Sequence, residues 1–248
     1  MNSVNKNSNP EVKVKLAELK KFLPVLLMAP YTRALFLAGS TTTGDPRPES
    51  DLDLIIVSQN NRLWLNRFFL EALTRIFKIR RTKNNFKNKI CFNIFLSNYE
   101  PLLPHRDAVG AGFYKNLKPI WGSEKEIENF WQTNSWIKKF EKLESSFLEN
   151  PISNKDQVFI KTIAEKILDY SGLGLLLEKI SYHGQLGYLN HRLNRTVTDV
   201  NSKNFDFNVT PNLIAYHFPV SNYALELQKH KEKADFNPAV DNTPQKSL

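Results

Sequence analysis

LFLAGSTTTGDPRPESDLDLIIVS, residues 35–58, holds two apolar runs separated by a small-residue turn and a charged loop. The second run opens on Asp51 and Asp53, two carboxylates at the start of what otherwise reads as a buried strand. Burying carboxylates there is costly unless a cation or hydrogen-bond donors compensate them. Residues two apart on a strand project to the same face, so the two acids stand side by side. Their repulsion is about 1 kcal/mol or more at an intermediate dielectric. A divalent cation relieves it, and oxygen ligands suit magnesium or manganese. Upstream, Gly39 and Ser40 close the first run. A glycine there lets backbone amides approach a phosphate, and the serine hydroxyl can donate to it. The loop between adds Arg47, which either neutralises a phosphate or is simply solvated.

Outward from this stretch the pattern alternates. Glu11–Leu27 places Val12, Leu16, Leu19, Leu23 and Leu26 on one face of a helix, with Pro24 expected to bend or end it. Ala34–Ala38 and Asp51–Val57 read as buried strands, the second central because apolar residues beyond Asp53 fill both faces. Arg62–Ile79 has one broad apolar face and predicts a long helix, and Ile90–Leu96 returns to strand. Strand, loop, strand, helix, strand is a small α/β (α+β) unit with a mixed sheet and flanking helices. Residues 101–122 are punctuated by proline and glycine, with a short helix expected at Gly110–Lys118. Beyond them Glu124–Leu148, Lys155–Leu193 and Tyr216–Lys233 read as helices, with Asn201–Asn212 a polar connection.

Gly39-Ser40, ten residues, then Asp51-Leu52-Asp53-Leu54 resembles the signature of the polymerase-beta-type nucleotidyltransferase superfamily. In that signature one strand ends in Gly-Ser, a variable loop follows, and Asp-x-Asp stands on the next strand. The fold match extends over roughly residues 12–97. The expected division is therefore a flexible tail at 1–10, a nucleotidyltransferase-like domain at 11–122, a helical region at 123–235 and a flexible tail at 236–248. The resemblance implies metal-dependent transfer of a nucleoside monophosphate from a nucleoside triphosphate such as ATP to a hydroxyl acceptor. Asp51 and Asp53 would ligate Mg2+ or Mn2+, and Gly39 and Ser40 would hold the triphosphate, with Arg47 as a further phosphate contact. Positioning and charge stabilisation would carry the catalysis.

Catalytic members usually have a third carboxylate on a later strand. The matching position here is Asn93, which offers a carbonyl oxygen but neither a negative charge nor a useful base at neutral pH. Three arrangements stay open: a weakened or single-metal site, a carboxylate supplied by Glu49, Glu100 or Asp107, or an inactive nucleotide-binding module that docks a partner. Lys89–Asn93, Pro119–Gly122 and Asn134–Ile137 further resemble a group of bacterial proteins known by this domain, in which the strand also carries Asn. That second resemblance implies that the helical half belongs to the same functional unit.

The net charge of +9 is unevenly placed. Residues 1–122 contain 19 Lys and Arg against 9 Asp and Glu, and the remainder 15 against 16, so the first half carries the excess. Arg75, Lys78, Arg80, Arg81, Lys83, Lys87 and Lys89 form a run without an acid between them. It is either a solvated helix end and loop or a docking surface for phosphates or a nucleic-acid backbone. A strongly cationic substrate is disfavoured, and the acceptor is open among RNA, protein and small molecules. The single cysteine, Cys91, excludes an internal disulfide and a metal finger, and is expected to be buried and inert. Phe22–Pro30, the longest apolar stretch, is too short to cross a bilayer. With a polar opening at Met1–Pro10, this leads us to expect a cytoplasmic protein with no membrane partner.

Other signals carry less. His105-Arg106-Asp107 copies the kinase catalytic tripeptide, but Gly112 stands where that motif needs Asn. Gly172-Leu173-Gly174 lacks the strand and third glycine of a dinucleotide fingerprint. His183 and His191 are too far apart in sequence for a one-turn metal pair. Trp121, Trp131 and Trp136 are expected to join the helical half to the sheet. Base stacking by one of them, or by Tyr182 or Tyr188, is the alternative.

Overall fold

In the computed structural model, which describes residues 9–143, 155–197 and 205–219, strands β1 (Thr32–Ala38), β2 (Leu52–Ser58) and β3 (Ile90–Ser97) form the centre of a six-stranded mixed sheet. β4 (Lys118–Gly122), β5 (Phe205–Thr210) and β6 (Leu213–Pro219) complete it in the order β4-β1-β2-β3-β6-β5. Every neighbouring pair is antiparallel except β2 and β3. A parallel pair needs a long crossover, and α3 (Leu63–Ile76) supplies it.

Strand alternation divides the core in two. Leu35, Leu37, Leu52, Leu54, Ile56, Phe92 and Phe95 face one side, against α1 (Pro10–Leu27), α3 and Leu189 of α7 (Leu173–Val197). Ala34, Phe36, Ile55, Val57, Ile94 and Leu96 face the other. There they meet α4 (Ala108–Tyr114), α5 (Glu124–Thr133) and a 3-10 turn at Ser135–Lys139. Both faces of β2 are buried, as its continuous apolar run requires. Trp131 lies edge-on to Phe36 and Trp136 to Tyr114 on the second side, while Trp121 packs on the first. Tyr182 stands against Trp64 within the packing.

Several local expectations change. Pro24 lies inside α1 without ending it. An interior proline costs about 3 kcal/mol, but Leu23, Leu26 and Leu27 are buried around it, each worth about 1.5–3 kcal/mol. The short helix expected at Gly110–Lys118 spans Ala108–Tyr114, because Asp107 Oδ1 accepts from Gly110 N and caps it, and Lys118–Gly122 is strand. The helix expected over Glu124–Leu148 ends at Thr133, where the buried Asn134 amide donates to the carbonyls of Phe130 and Pro101. Lys155–Leu193 is two helices, α6 (Lys155–Tyr170) and α7, divided at Gly172. Its φ of +70° is the left-handed conformation that stops a helix. The polar connection and the helix expected from Tyr216 give way to the β5–β6 hairpin, and residues 220–233 lie outside the described residues. So do the expected tails, except Asn9 and Pro10, which cap and open α1. No described helix is long and apolar enough to cross a membrane.

Candidate active site

β1 and β2 pair so that Ala38 stands opposite Asp53. The next residue, Gly39, has φ +72° and precedes the four-residue helix α2 (Ser40–Thr43). A side chain there is doubly excluded, because the backbone is left-handed and a Cβ would overlap Asp53 Oδ2. Gly39 therefore brings the start of α2 against the carboxylate. Thr42 closes the turn by donating from N and Oγ1 to the Gly39 carbonyl, at 3.1 and 2.8 Å.

Asp51 and Asp53 lie on the face of β2 that continues as Ile55 and Val57, while Leu52 and Leu54 point into the opposite core. Parallel pairing with β3 sets Cys91 against Asp53. The register then slips: Leu54 faces Phe92 but Ile55 faces Ile94, leaving Asn93 as the extra residue of a bulge. The Cys91 thiol donates to Asn93 Oδ1 at 3.2 Å. One carboxylate oxygen from each aspartate and Cys91 Sγ all lie within 4.8 Å of one another.

Charge in this cluster does not balance. Arg81 Nη1 stands 2.8 Å from Asp51 Oδ2 and donates to Cys91 Sγ at 3.5 Å. Even so, Asp51 Oδ2 is buried without a well-aligned hydrogen bond. Burial first, and the Asp51 charge second, push the Asp53 carboxyl up to about 6 against the Asn93 amide, the Arg81 charge and the nearby Cys91 thiol. Burial and the two carboxylates push the Cys91 thiol up to about 12. The site thus sets two carboxylates and a neutral thiol against one directly paired guanidinium, with the Lys15 charge also acting on Asp51. Asp51 carries the direct ion pair and, among the described residues, Asp53 carries none, while Asp51 Oδ2 keeps an unsatisfied position beside it. That donor set fits a hard divalent cation.

Of the residues singled out from the sequence, Gly39, Asp51, Asp53 and Asn93 come together, and Ser40 begins α2 beside them. Arg47 is exposed in the α2–β2 loop, where its carbonyl accepts from Ser50 N and Oγ. Glu49 and Glu100 are exposed, and Asp107 is the cap of α4. Among the described histidines, cysteines and acids, the one that joins the aspartates is Cys91.

Two residues escaped the sequence reading. Arg81 was legible only as one member of a basic run, because its partner is set by folding. Lys15 is fully buried and donates to the carbonyls of Pro48 (3.0 Å) and Ser50 (2.5 Å) and to Asn88 Oδ1 (2.6 Å). It ties the α2–β2 loop to the segment before β3, and burial lowers its pKa. Its signal was a lysine on the apolar stripe of α1, between Val12 and Leu19.

Residues 16–170 match the family model of the nucleotidyltransferase domain. Solved structures similar to this chain include that of a toxin–antitoxin with AMP-PNP, at 15% identity and TM-score 0.29. Another is a mutant of the toxin–antitoxin MntA-HpeT, at 13% identity and TM-score 0.30. Each similarity covers 49% of this chain and 87% of the other. No curated protein matches the chain.

Proposed function

The chain belongs to the nucleotidyltransferase domain family, and from that premise we propose that it moves a nucleoside monophosphate from a nucleoside triphosphate to a hydroxyl acceptor, using Asp51 and Asp53 to hold Mg2+ or Mn2+. The observation that carries this reading is the carboxylate pair itself: Asp51 and Asp53 stand together on one face of β2, directly beside Gly39, and among the described residues Arg81 pairs with Asp51 alone. A bound divalent ion would neutralise phosphate charge and orient the triphosphate. The rest falls to the chain. Asp51 and Asp53 fix where the triphosphate sits, and Gly39 and Ser40 offer backbone and hydroxyl donors to its oxygens. Arg81, released from Asp51, has its guanidinium free for a phosphate. Arg47, exposed in the loop, can approach the same charge.

In the transfer the acceptor oxygen bonds to the α-phosphorus, the bond to the bridging oxygen breaks, and pyrophosphate leaves. Asn93 can orient the acceptor by accepting its hydrogen bond but cannot keep its proton at neutral pH, so the proton passes to solvent. Cys91, protonated up to about pH 12, takes no nucleophilic part. A cytoplasmic setting, where nucleoside triphosphates are abundant, suits this reaction.

The test is transfer of label from α-labelled triphosphates to mixed hydroxyl acceptors, with Mg2+ or Mn2+, beside Asp51→Asn and Asp53→Asn. Label transfer lost in both variants supports the proposal. A second reading, a nucleotide-binding module that docks a partner, is favoured by Asn93 in place of a carboxylate. Metal-dependent triphosphate binding with no transfer to any acceptor would select it.

A further inference from the structure

The chain has no acidic residue between Glu71 and Glu100, and seven Lys and Arg. Folding sorts the seven. Arg75 and Arg80 are drawn to Glu71 at 3.2 and 3.0 Å. Arg81 turns inward to Asp51, and Lys89 Nζ donates to the Lys78 carbonyl at 2.9 Å. Lys78, Lys83 and Lys87 stay exposed. Interleaved with them are two aromatic rings in solvent, Phe77 at 50% and Phe86 at 42% exposure.

This loop has defined shape. Thr82 N donates to the Asn85 carbonyl at 2.9 Å, and Asn85 N returns a bond to Thr82 Oγ1 at 3.1 Å. Ile90 N donates to Ile79 O at 2.8 Å, and Arg81 N to Ile90 O at 2.9 Å, which holds the two ends together. It also flanks the carboxylates. Asn88 N donates to Ser50 O at 3.1 Å and Leu52 N to Lys89 O at 2.8 Å, so loop backbone is bonded on both sides of Asp51.

We propose that residues 77–89 dock a single-stranded nucleic acid as the acceptor, with Lys78, Lys83 and Lys87 on its phosphates and Phe77 and Phe86 stacked on its bases. The proposal rests on the nucleotidyl-transfer reading and names its acceptor class. Cationic side chains with interleaved exposed rings match a strand that presents phosphates and flat π-faces in alternation. An acidic peptide matches the charge but leaves the rings without a partner. An anionic membrane would accept rings and cations alike, and phosphatidylserine vesicles are the arm of the test that separates it. Bonding of the loop to residues beside Asp51 puts the end of a docked strand within reach of the carboxylates.

The test uses the full chain and a 5′-labelled single-stranded oligoribonucleotide, with fluorescence polarisation read over a range of salt and no triphosphate present. For the Lys78→Gln/Lys83→Gln/Lys87→Gln variant the slope of log affinity against log salt falls by about 2, at roughly 0.7 per phosphate contact. For Phe77→Ala/Phe86→Ala affinity falls on the order of tenfold per lost stack while the salt slope stays as in wild type. Thermal melts of both variants confirm that they fold. Wild-type affinity shared by both variants overturns the proposal. So does an absence of oligonucleotide binding when acidic peptide or phosphatidylserine vesicles bind. Because the assay needs no transfer, oligonucleotide binding that depends on these residues stands even if turnover fails. Conversely, label transfer to a small hydroxyl compound without oligonucleotide binding removes the dock and leaves the nucleotidyl-transfer reading in place.

Discussion

Opposite ends of the sheet each carry a cluster of charges, and the two are built differently. At the start of β1, Glu165 Oε1 accepts from Tyr31 N at 2.5 Å and Arg33 Nη1 at 2.9 Å, and its Oε2 from Arg33 Nη2 at 3.1 Å. Asp169 Oδ1 accepts from the Tyr31 hydroxyl and Arg62 Nη2, both at 2.9 Å. Lys161, pushed down to about 8 by burial, donates to the Thr32 carbonyl and sits over Trp121. There the acids are matched by aligned donors, the atom left over being a donor, Arg62 Nε, and the cluster fastens α6 to the sheet. At the start of β2 two acids share one ion-pair partner, Arg81, one oxygen has no aligned donor, and burial with the neighbouring charge pushes the Asp53 carboxyl up to about 6. An acid whose oxygens are saturated holds structure together. An unsaturated one is free to take a ligand at the expense of stability.

The sharpest way to break this contrast is a pair of isosteric substitutions. Asp53→Asn is expected to abolish transfer, by about 10³-fold or more, and to remove the melting-temperature gain from Mn2+. The same variant raises the stability of the metal-free protein at pH 7.5 by about 1–3 kcal/mol, since it removes a repelled, buried charge. Glu165→Gln is expected to do the reverse, costing about 1–3 kcal/mol through lost pairing and leaving the Mn2+ response intact. Thermal melts with and without Mn2+ check both. Equal behaviour of the two variants would erase the distinction.

Next in size is Asn93→Asp, which restores the third carboxylate. General-base help is worth about 10²-fold or more, so transfer should speed up by that order in single-turnover assays. Gly39→Ala probes the same end through the backbone. Its left-handed φ and the overlap with Asp53 predict about 1–3 kcal/mol of destabilisation, measured by denaturant unfolding, with transfer lost.

The same contrast fixes a pH dependence. The folded Asp53 pKa of about 6 lies above its ordinary 3.8, so the folded chain binds this proton more tightly than the unfolded one. From this group the metal-free protein gains stability as pH falls from about 6 towards 3.8 and lacks that gain above 6. Metal binding needs the ionised form and runs the other way. Mn2+ affinity should drop by about tenfold per pH unit below about 6, as read by calorimetric titration.

Much of the site end was legible because strand alternation is local. Asp51 and Asp53 had to share a face, and a Gly-Ser turn after an apolar run had to bring backbone beside them. The crossover helix between β2 and β3 followed from its apolar face. What escaped was fixed by pairing between distant segments. Cys91 opposes Asp53 only because β2 and β3 pair in one register, whereas Asn93, two residues on, reaches the same face by plain alternation and was legible for that reason. Arg81 reaches Asp51 across the sheet, and no spacing in its basic run distinguishes it from Lys78 or Lys83. The β5–β6 hairpin was readable in principle, since Phe205, Phe207 and Val209 alternate with Asp206, Asn208 and Thr210. Its polar composition and a helix expected from Tyr216 masked the period.

The most direct measurement is a Mn2+ titration followed by electron paramagnetic resonance, with and without a non-hydrolysable triphosphate. Wild type is expected to bind Mn2+, more tightly once the triphosphate is present, and Asp51→Asn and Asp53→Asn are each expected to lose that binding. Mn2+ affinity unchanged in both variants would mean that the paired carboxylates of β2 do not form the cation site.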